Sequence, residues 1–273
     1  MKLYGLIGYP LGHSFSQRYF TDKFAAAGIA DCAYRNFPIE TIEGVETVLQ
    51  TPGLRGFNVT IPYKQAIVPY LSGLSDEARA IGAVNCVKIT PEGLTGYNTD
   101  AYGFRRSLLN LLGDVRPEKA LVLGTGGASK AVKYVLEQLG IAFDAVSRDG
   151  KNGAYTYGDL SEEIVRAHRL IVNATPLGTF PNAEGCPVLP YEALGAGHFL
   201  FDLVYNPAVT EFLKRGAAQG LQPATVTTCW SGRPKKHGRS GTNNCPHDTK
   251  TKEAVAQCDS LFRFLLPINS FLL

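Results

Sequence analysis

The chain has 273 residues, 45% of them hydrophobic and 19% charged, which excludes wholesale disorder and is long enough for one large domain or two ordinary ones. The formal charge of +3 is concentrated at one end: residues 221–273 hold 7 Lys or Arg against 3 Asp or Glu, and residues 1–220 hold 20 against 21. The body carries no nucleic-acid footprint, no apolar run reaches the ~20 residues of a membrane span, and the opening MKLYGLIGYP lacks the pattern of a secretory signal, so a cytoplasmic protein with reduced cysteines is expected.

In chain order, Leu3 to Gly8 reads as a buried strand, Gln17 to Ala27 as a helix and Ala33 to Phe37 as a second strand. Ile42 to Leu49 follows as a helix, Gly56 to Ile61 as a strand, Asp76 to Ile81 as a helix and Ala83 to Ile89 as a strand. This alternation predicts an α/β layer with a mostly parallel sheet. Ala101 to Leu112 is a connecting helix, after which the pattern restarts. Lys119 to Leu123 is a strand, Gly124 to Gly127 a glycine turn and Ala128 to Leu139 a helix; Ala142 to Ser147, Leu170 to Asn173 and Phe199 to Leu203 are further strands. Such a succession predicts a doubly wound, Rossmann-like nucleotide-binding sheet. Periodicity collapses after Gly220. The expected organisation is therefore an α/β domain over residues 1–100, a nucleotide-binding domain over 101–220, and an aberrant, disordered tail over 221–273.

Gly124-Thr125-Gly126-Gly127-Ala128 lies between a strand and a helix, the context in which glycines let backbone approach a pyrophosphate and a helix N-terminus supplies free N–H groups. Lys130 is not preceded by Gly, so the phosphoryl-transfer loop pattern fails. At the end of the next strand, where NAD sites place an acidic residue, the chain has Ser147-Arg148 with Lys151 beyond. A guanidinium pairs with phosphate, which favours the 2′-phosphate of NADP; Asp149 could face the ribose instead.

Three segments before residue 101 are richer in polar groups than strands and turns require. Ser14 and Ser16 flank Phe15 and share a face in extended backbone, two hydroxyls able to grip a carboxylated or polyhydroxylated ligand; their ordinary reading is a helix cap. Asn58 to Lys64 runs N-V-T-I-P-Y-K, with Pro62 ending the strand; a lone Lys is ordinarily a solvated charge. Asn98-Thr99-Asp100 reads as a cap, or else brings Asp100 to Lys64 at a cleft mouth, where the amine could exchange a proton with a substrate hydroxyl.

On these residues the chain resembles the shikimate dehydrogenase family, with motifs spread over residues 5–220. The serine pair is Ser14 and Ser16; N-V-T-x-P-x-K runs from Asn58 to Lys64; G-A-V-N from Gly82 to Asn85; N-T-D-x-x-G from Asn98 to Gly103. G-x-G-G-A-x-x-A runs from Gly124 to Ala131, N-A-T-P-x-G from Asn173 to Gly178, and D-x-x-Y-x-P from Asp202 to Pro207. Gln17 stands where many relatives have Pro. The resemblance implies NADP-dependent interconversion of 3-dehydroshikimate and shikimate, a step toward chorismate and the aromatic amino acids. It implies Lys64 as the catalytic proton donor or acceptor, oriented by Asp100. Ser14, Ser16, Thr60, Asn85, Asp100 and Tyr205 would hold the substrate. Gly124, Thr125, Gly126, Gly127, Ala128, Asn173, Thr175 and Leu203 would line the cofactor, with Asp76 a weaker contact, alongside Ser147, Arg148 and Lys151 from the strand-end reading. It needs no metal, and Cys32, Cys86 and Cys186 read as reduced, buried thiols. The expected partner is a small molecule, the expected assembly a monomer or homodimer. An NAD-using quinate/shikimate dehydrogenase and an inactive, ligand-binding relative are the alternatives.

The family closes with a glycine-containing turn, a Met-Leu pair and a Gln on a returning helix, and residues 221–273 contain no such pattern. Codons built from the third base of one residue and the first two of the next, starting at Ala224–Thr225, permit NGYNMLERQAEEAWQIWNE and a stop within Asn243–Asn244. Two bases of each shifted codon are fixed by the residues present. A frameshift near Gly220 is therefore expected, in the gene or in its reading; DNA over codons 215–230 with no compatible reading would contradict it. Lys235, Lys236 and Arg239 read as a solvated run, and Cys245, His247 and Cys258 lack paired zinc spacing.

Overall fold

Two six-stranded sheets organise the chain in a computed structural model that describes residues 1–12 and 14–221 and the backbone of 224 and 225. The first sheet starts with β1 (Lys2–Gly8), buried on both faces after Lys2. Helix α1 (Ser16–Ala26) buries Ser16, Phe20 and Phe24 at i, i+4 and i+8, one stripe of a 3.6-residue period. Strand β2 (Cys32–Pro38) follows, then a 3₁₀ turn over Ile42–Gly44 leading into α2 (Val45–Leu49) and β3 (Leu54–Val59). Beyond β4 (Gly73–Leu74), α3 (Asp76–Ile81) begins where the Ser75 hydroxyl accepts the Ala78 N–H and ends at Gly82, whose φ of 68° ordinary residues rarely adopt. Strands β5 (Cys86–Thr90) and β6 (Gly93–Tyr97) complete the sheet in the order β2-β1-β3-β5-β6-β4.

This sheet is mostly parallel, as expected, with an antiparallel insert: β1 runs parallel to β2 and β3, and β4 to β6, but β5 is antiparallel to β3 and to β6. The β5–β6 hairpin escaped the sequence pattern because β6 contains two glycines. Gly96 is required by packing, since a Cβ there would lie 2.5 Å from Leu71 Cδ1 and 2.7 Å from Val84 Cγ2. The strand expected from Ala83 begins only at Cys86 because the chain first leaves the left-handed Gly82.

Helix α4 (Asp100–Leu112) leads to the second sheet, built from β7 (Lys119–Leu123), α5 (Gly127–Gln138), β8 (Ala142–Ser147), β9 (Tyr155–Thr156), α6 (Glu162–Ala167), β10 (Leu170–Asn173), β11 (Phe199–Asp202), α7 (Glu211–Ala218) and β12 (Ala224–Thr225). Its order is β12-β11-β10-β7-β8-β9, and every pair is parallel. One face packs Phe104, Leu108, Val132 and Val135 of α4 and α5; the other packs Val165, Phe212 and Leu213 of α6 and α7. Helices on both faces of a parallel sheet make the doubly wound layer that the motif order predicted. Phe104 meets Phe201 edge-on at 5.0 Å between centroids, both fully buried, and burying such a ring contributes about 1.5–3 kcal/mol.

Leu221 is buried in the α6–α7 face, and Ala224–Thr225 pair with Phe201–Asp202, because the parallel sheet accepts a further edge strand. The rest of the expected tail, with Cys229, Cys245, His247, Cys258 and the basic run, lies outside the described residues. Of the three thiols expected to be buried, only Cys86 is; Cys32 and Cys186 are partly exposed. Among the described residues no helix is long and apolar enough to cross a membrane.

Candidate active site

The carboxyl ends of β1 and β3 lie side by side: Thr60 N–H donates to Ile7 O at 2.9 Å, and Tyr9 N–H to Ile61 O at 3.1 Å. This edge carries Ser14 and Ser16 on one side and Thr60 and Lys64 on the other. Pro62 closes β3 into a turn, and the Lys64 carbonyl accepts the Val84 N–H at 2.7 Å, so the lysine backbone is fixed to the loop before β5. The residue is 8% exposed. Its Nζ donates to Asp100 Oδ2 at 2.9 Å.

Asp100, the first residue of α4, is 1% exposed. Asn85 Nδ2 donates to its Oδ1 at 2.6 Å and to Thr99 Oγ1 at 3.0 Å, while Asn85 Oδ1 accepts the Thr99 N–H at 2.9 Å. Asn98 Oδ1 caps the helix by accepting the Asp100 and Ala101 N–H groups. Burial pushes the Asp100 carboxyl above the usual carboxylate range, against the opposing pull of Lys64 and Asn85. An ammonium beside a buried carboxylate can give a proton to, or take one from, an oxygen brought to the lysine. Behind it lies a layer that sequence reasoning gave no role: Tyr34 OH donates to Asn58 Oδ1 at 2.9 Å, and Asn58 Nδ2 to Asn85 O at 3.4 Å. The motif quoted Asn58, but nothing in the sequence linked it to Tyr34 in β2.

Ser14 Oγ accepts the Ser16 N–H at 3.3 Å. Ser16 Oγ is fully buried and has no hydrogen-bond partner among the described residues, a state that favours a ligand acceptor or donor. A cavity of about 310 Å³ opens between α1 and the segment after β11, lined by Phe15, Ser16, Arg18, Tyr19, Tyr205 and Asn206 among others. Ser16 and Tyr205 thus share a wall, although Lys64 is not part of that lining. Burial pushes the Tyr205 phenol up to about 12, so it stays a neutral donor.

The second sheet meets this group at its own carboxyl edge. A Cβ on Gly127 would lie 3.5 Å from Lys64 Cβ, and Lys130 Nζ donates to Gln65 Oε1 at 2.8 Å. The glycine turn is therefore packed on the lysine. Gly124 has φ +103° and would place a Cβ 2.9 Å from Thr175 Cγ2, whereas the Cβ position of Gly126 faces open space. Thr125 and Ala128 are half-buried beside them. Asn173 Oδ1 accepts the Thr175 N–H and hydroxyl at 3.0 and 2.6 Å, and Leu203 N–H donates to Asn173 O at 3.0 Å.

At the end of β8, Asp149 Oδ1 accepts the Lys151 N–H at 3.1 Å and the Ser147 hydroxyl at 3.4 Å, leaving Arg148 exposed. Asp76 does not join the group: its carboxylate is in solvent, 3.7 Å from Arg79 one turn along α3.

The chain is similar over most of its length to known proteins. Residues 6–87 match the family model for the shikimate dehydrogenase substrate binding domain. The shikimate dehydrogenase (NADP(+)) of Crocosphaera subtropica is 37% identical over 243 residues, covering 81% of this chain and 83% of its own. A crystal structure of shikimate dehydrogenase 1 from Peptoclostridium difficile superposes with a TM-score of 0.72 at 34% identity, covering 84% and 87% of the two chains. The Thermus thermophilus shikimate 5-dehydrogenase in complex with NADP(H) and shikimate superposes at 0.70 with 31% identity, covering 81% and 86%.

Proposed function

The chain belongs to the shikimate dehydrogenase family, and we propose that it interconverts 3-dehydroshikimate and shikimate with NADP, using Lys64 to carry the proton. The observation that carries this reading is the buried Lys64–Asp100 pair at 2.9 Å, packed against the first residue of α5.

The cofactor edge fits a dinucleotide phosphate. Gly126 leaves open space at its Cβ position, the N–H groups of Gly127 and Ala128 at the start of α5 have no carbonyl a turn earlier to bond, and Arg148 is exposed at the strand end while Asp149 is engaged by its own turn. The bound nicotinamide supplies or accepts the hydride. The chain's own residues do the rest. Ser14, Ser16 and Tyr205 offer hydroxyls to the substrate's carboxylate, and Thr60, Asn85 and Asp100 orient the ring hydroxyls beside Lys64. On reduction the Lys64 ammonium gives its proton to the carbonyl oxygen as charge develops there, and Asp100 holds the ammonium in place; on oxidation the proton returns. On this reading the N-terminal sheet is the substrate domain, residues 1–100, and residues 101–220 hold NADP. The protein then works in the cytoplasm on a small molecule, as a monomer or homodimer.

Lys64→Met tests the assignment. Positioned proton transfer contributes about 10²–10⁴-fold to rate, so kcat should fall by that order while the shikimate KM changes less than about tenfold. A kcat close to that of the unaltered protein would contradict the role of Lys64.

A further inference from the structure

Asp202 ends β11 and is fully buried. Its Oδ1 accepts Asn173 Nδ2 and the Val204 N–H, each at 2.9 Å, and its Oδ2 accepts the Thr210 hydroxyl. No cation pairs with it among the described residues. Each donor belongs to a different segment of the second sheet's carboxyl side. Asn173 ends β10 and fixes Thr175, which lies against Gly124. Val204 leads into Tyr205. Thr210 caps α7, its hydroxyl accepting the Leu213 N–H at 3.4 Å. A carboxylate buried among neutral donors opposes folding, and such groups cluster where a site needs them. Burial pushes this one up to about 6, against its hydrogen bonds from Thr210, Val204 and Asn173.

We propose that Asp202 is the positioning residue of the cofactor wall: its carboxylate ties the loop after β10 and the Leu203–Tyr205 segment together so that both face the nicotinamide end of the cofactor. The inference rests on the NADP reading above. In a doubly wound sheet the pyrophosphate lies at the glycine turn after the central β7. Arg148, after β8, marks the adenosine side; β10 and β11 lie on the other side, beside Tyr205 and the substrate cleft. Asp202 should therefore matter for the whole cofactor and not for its adenosine half.

Calorimetric titration of the full-length protein and its Asp202→Asn variant with NADP⁺ and with 2′,5′-ADP, which lacks the nicotinamide, tests this. The variant should bind NADP⁺ about tenfold more weakly or worse, and 2′,5′-ADP within about twofold of the unaltered protein. Thr210→Val should shift NADP⁺ in the same direction and Thr210→Ser should not, which keeps the question answerable if Asp202→Asn does not fold. In the unaltered protein the NADP⁺ to 2′,5′-ADP ratio of dissociation constants should rise as pH falls below about 6, and in Asp202→Asn it should be flat. The 2′-phosphate is common to both ligands and cancels. Of the titratable groups, Tyr191 interacts with Asp202, and burial pushes its phenol up, out of this range; Tyr205, near in sequence, is likewise pushed up by burial, and Glu211, Lys214 and Arg215 of α7 pair among themselves. Unchanged NADP⁺ binding, or equal weakening of both nucleotides, would overturn the proposal. Failure of the unaltered protein to bind either nucleotide would strike the NADP reading itself.

Discussion

Arg148 and Asp149 are adjacent after β8, and their side chains are committed differently. The Asp149 carboxylate accepts from Ser147 and from the Lys151 N–H, so the guanidinium is the group free to meet a phosphate. A charge-assisted hydrogen bond contributes about 1.5–3 kcal/mol, or roughly 10- to 150-fold. Arg148→Ala should therefore lower kcat/KM for NADPH by about that factor and leave NADH nearly unchanged; equal losses with both would refute a 2′-phosphate role. At this scale the sequence was most legible at Lys64 and Asp100, whose expected pairing forms at 2.9 Å, whereas Asn85 entered only through the resemblance. It was least legible at Tyr34 and Asp202, whose partners lie on other strands. Asp202 opened a quoted motif, but its buried state depends on Asn173 and Thr210, 29 and 8 residues away.

The glycine turn separates two reasons for lacking a side chain. Gly124 needs its φ of +103° and the 2.9 Å approach to Thr175, so Gly124→Ala should lower the melting temperature before any ligand is added. Gly126 has open space at its Cβ position and φ −76°. Gly126→Ala should therefore leave the ligand-free melting temperature unchanged and weaken NADP⁺ binding; an unchanged dissociation constant would remove the turn from the cofactor site. The strand carrying Asp202 allows a second test by pH. Its folded pKa of about 6 exceeds the usual carboxylate value near 3.9, so the folded state holds the proton more tightly. That stabilisation is complete below about pH 4 and is lost as pH rises to about 6, on the order of 3 kcal/mol. Asp202→Asn should remove this part of the pH dependence and be no less stable than the unaltered protein at pH 8. Among the elements, long apolar strands and α5 were readable from periodicity. β6, β9, α6 and α7 were not, because short or glycine-bearing segments take their form from the surface they pack on.

At the scale of the molecule, α4 joins the two sheets mechanically. Its first residue, Asp100, holds Lys64 at the edge of the first sheet, and one turn later Phe104 packs edge-on against Phe201 of the second. The Lys130–Gln65 bond and the Gly127–Lys64 approach close the same seam from α5. The lysine is thus located by contacts from both sheets, an arrangement that the order of motifs implied and that only the packing made explicit. The most direct test of the whole account is shikimate-dependent formation of NADPH by the full chain. The account predicts NADPH formation with NADP⁺, a much weaker response with NAD⁺, and near-complete loss in Lys64→Met. Binding of both shikimate and NADP⁺ without any turnover would contradict it and leave a ligand-binding protein in its place.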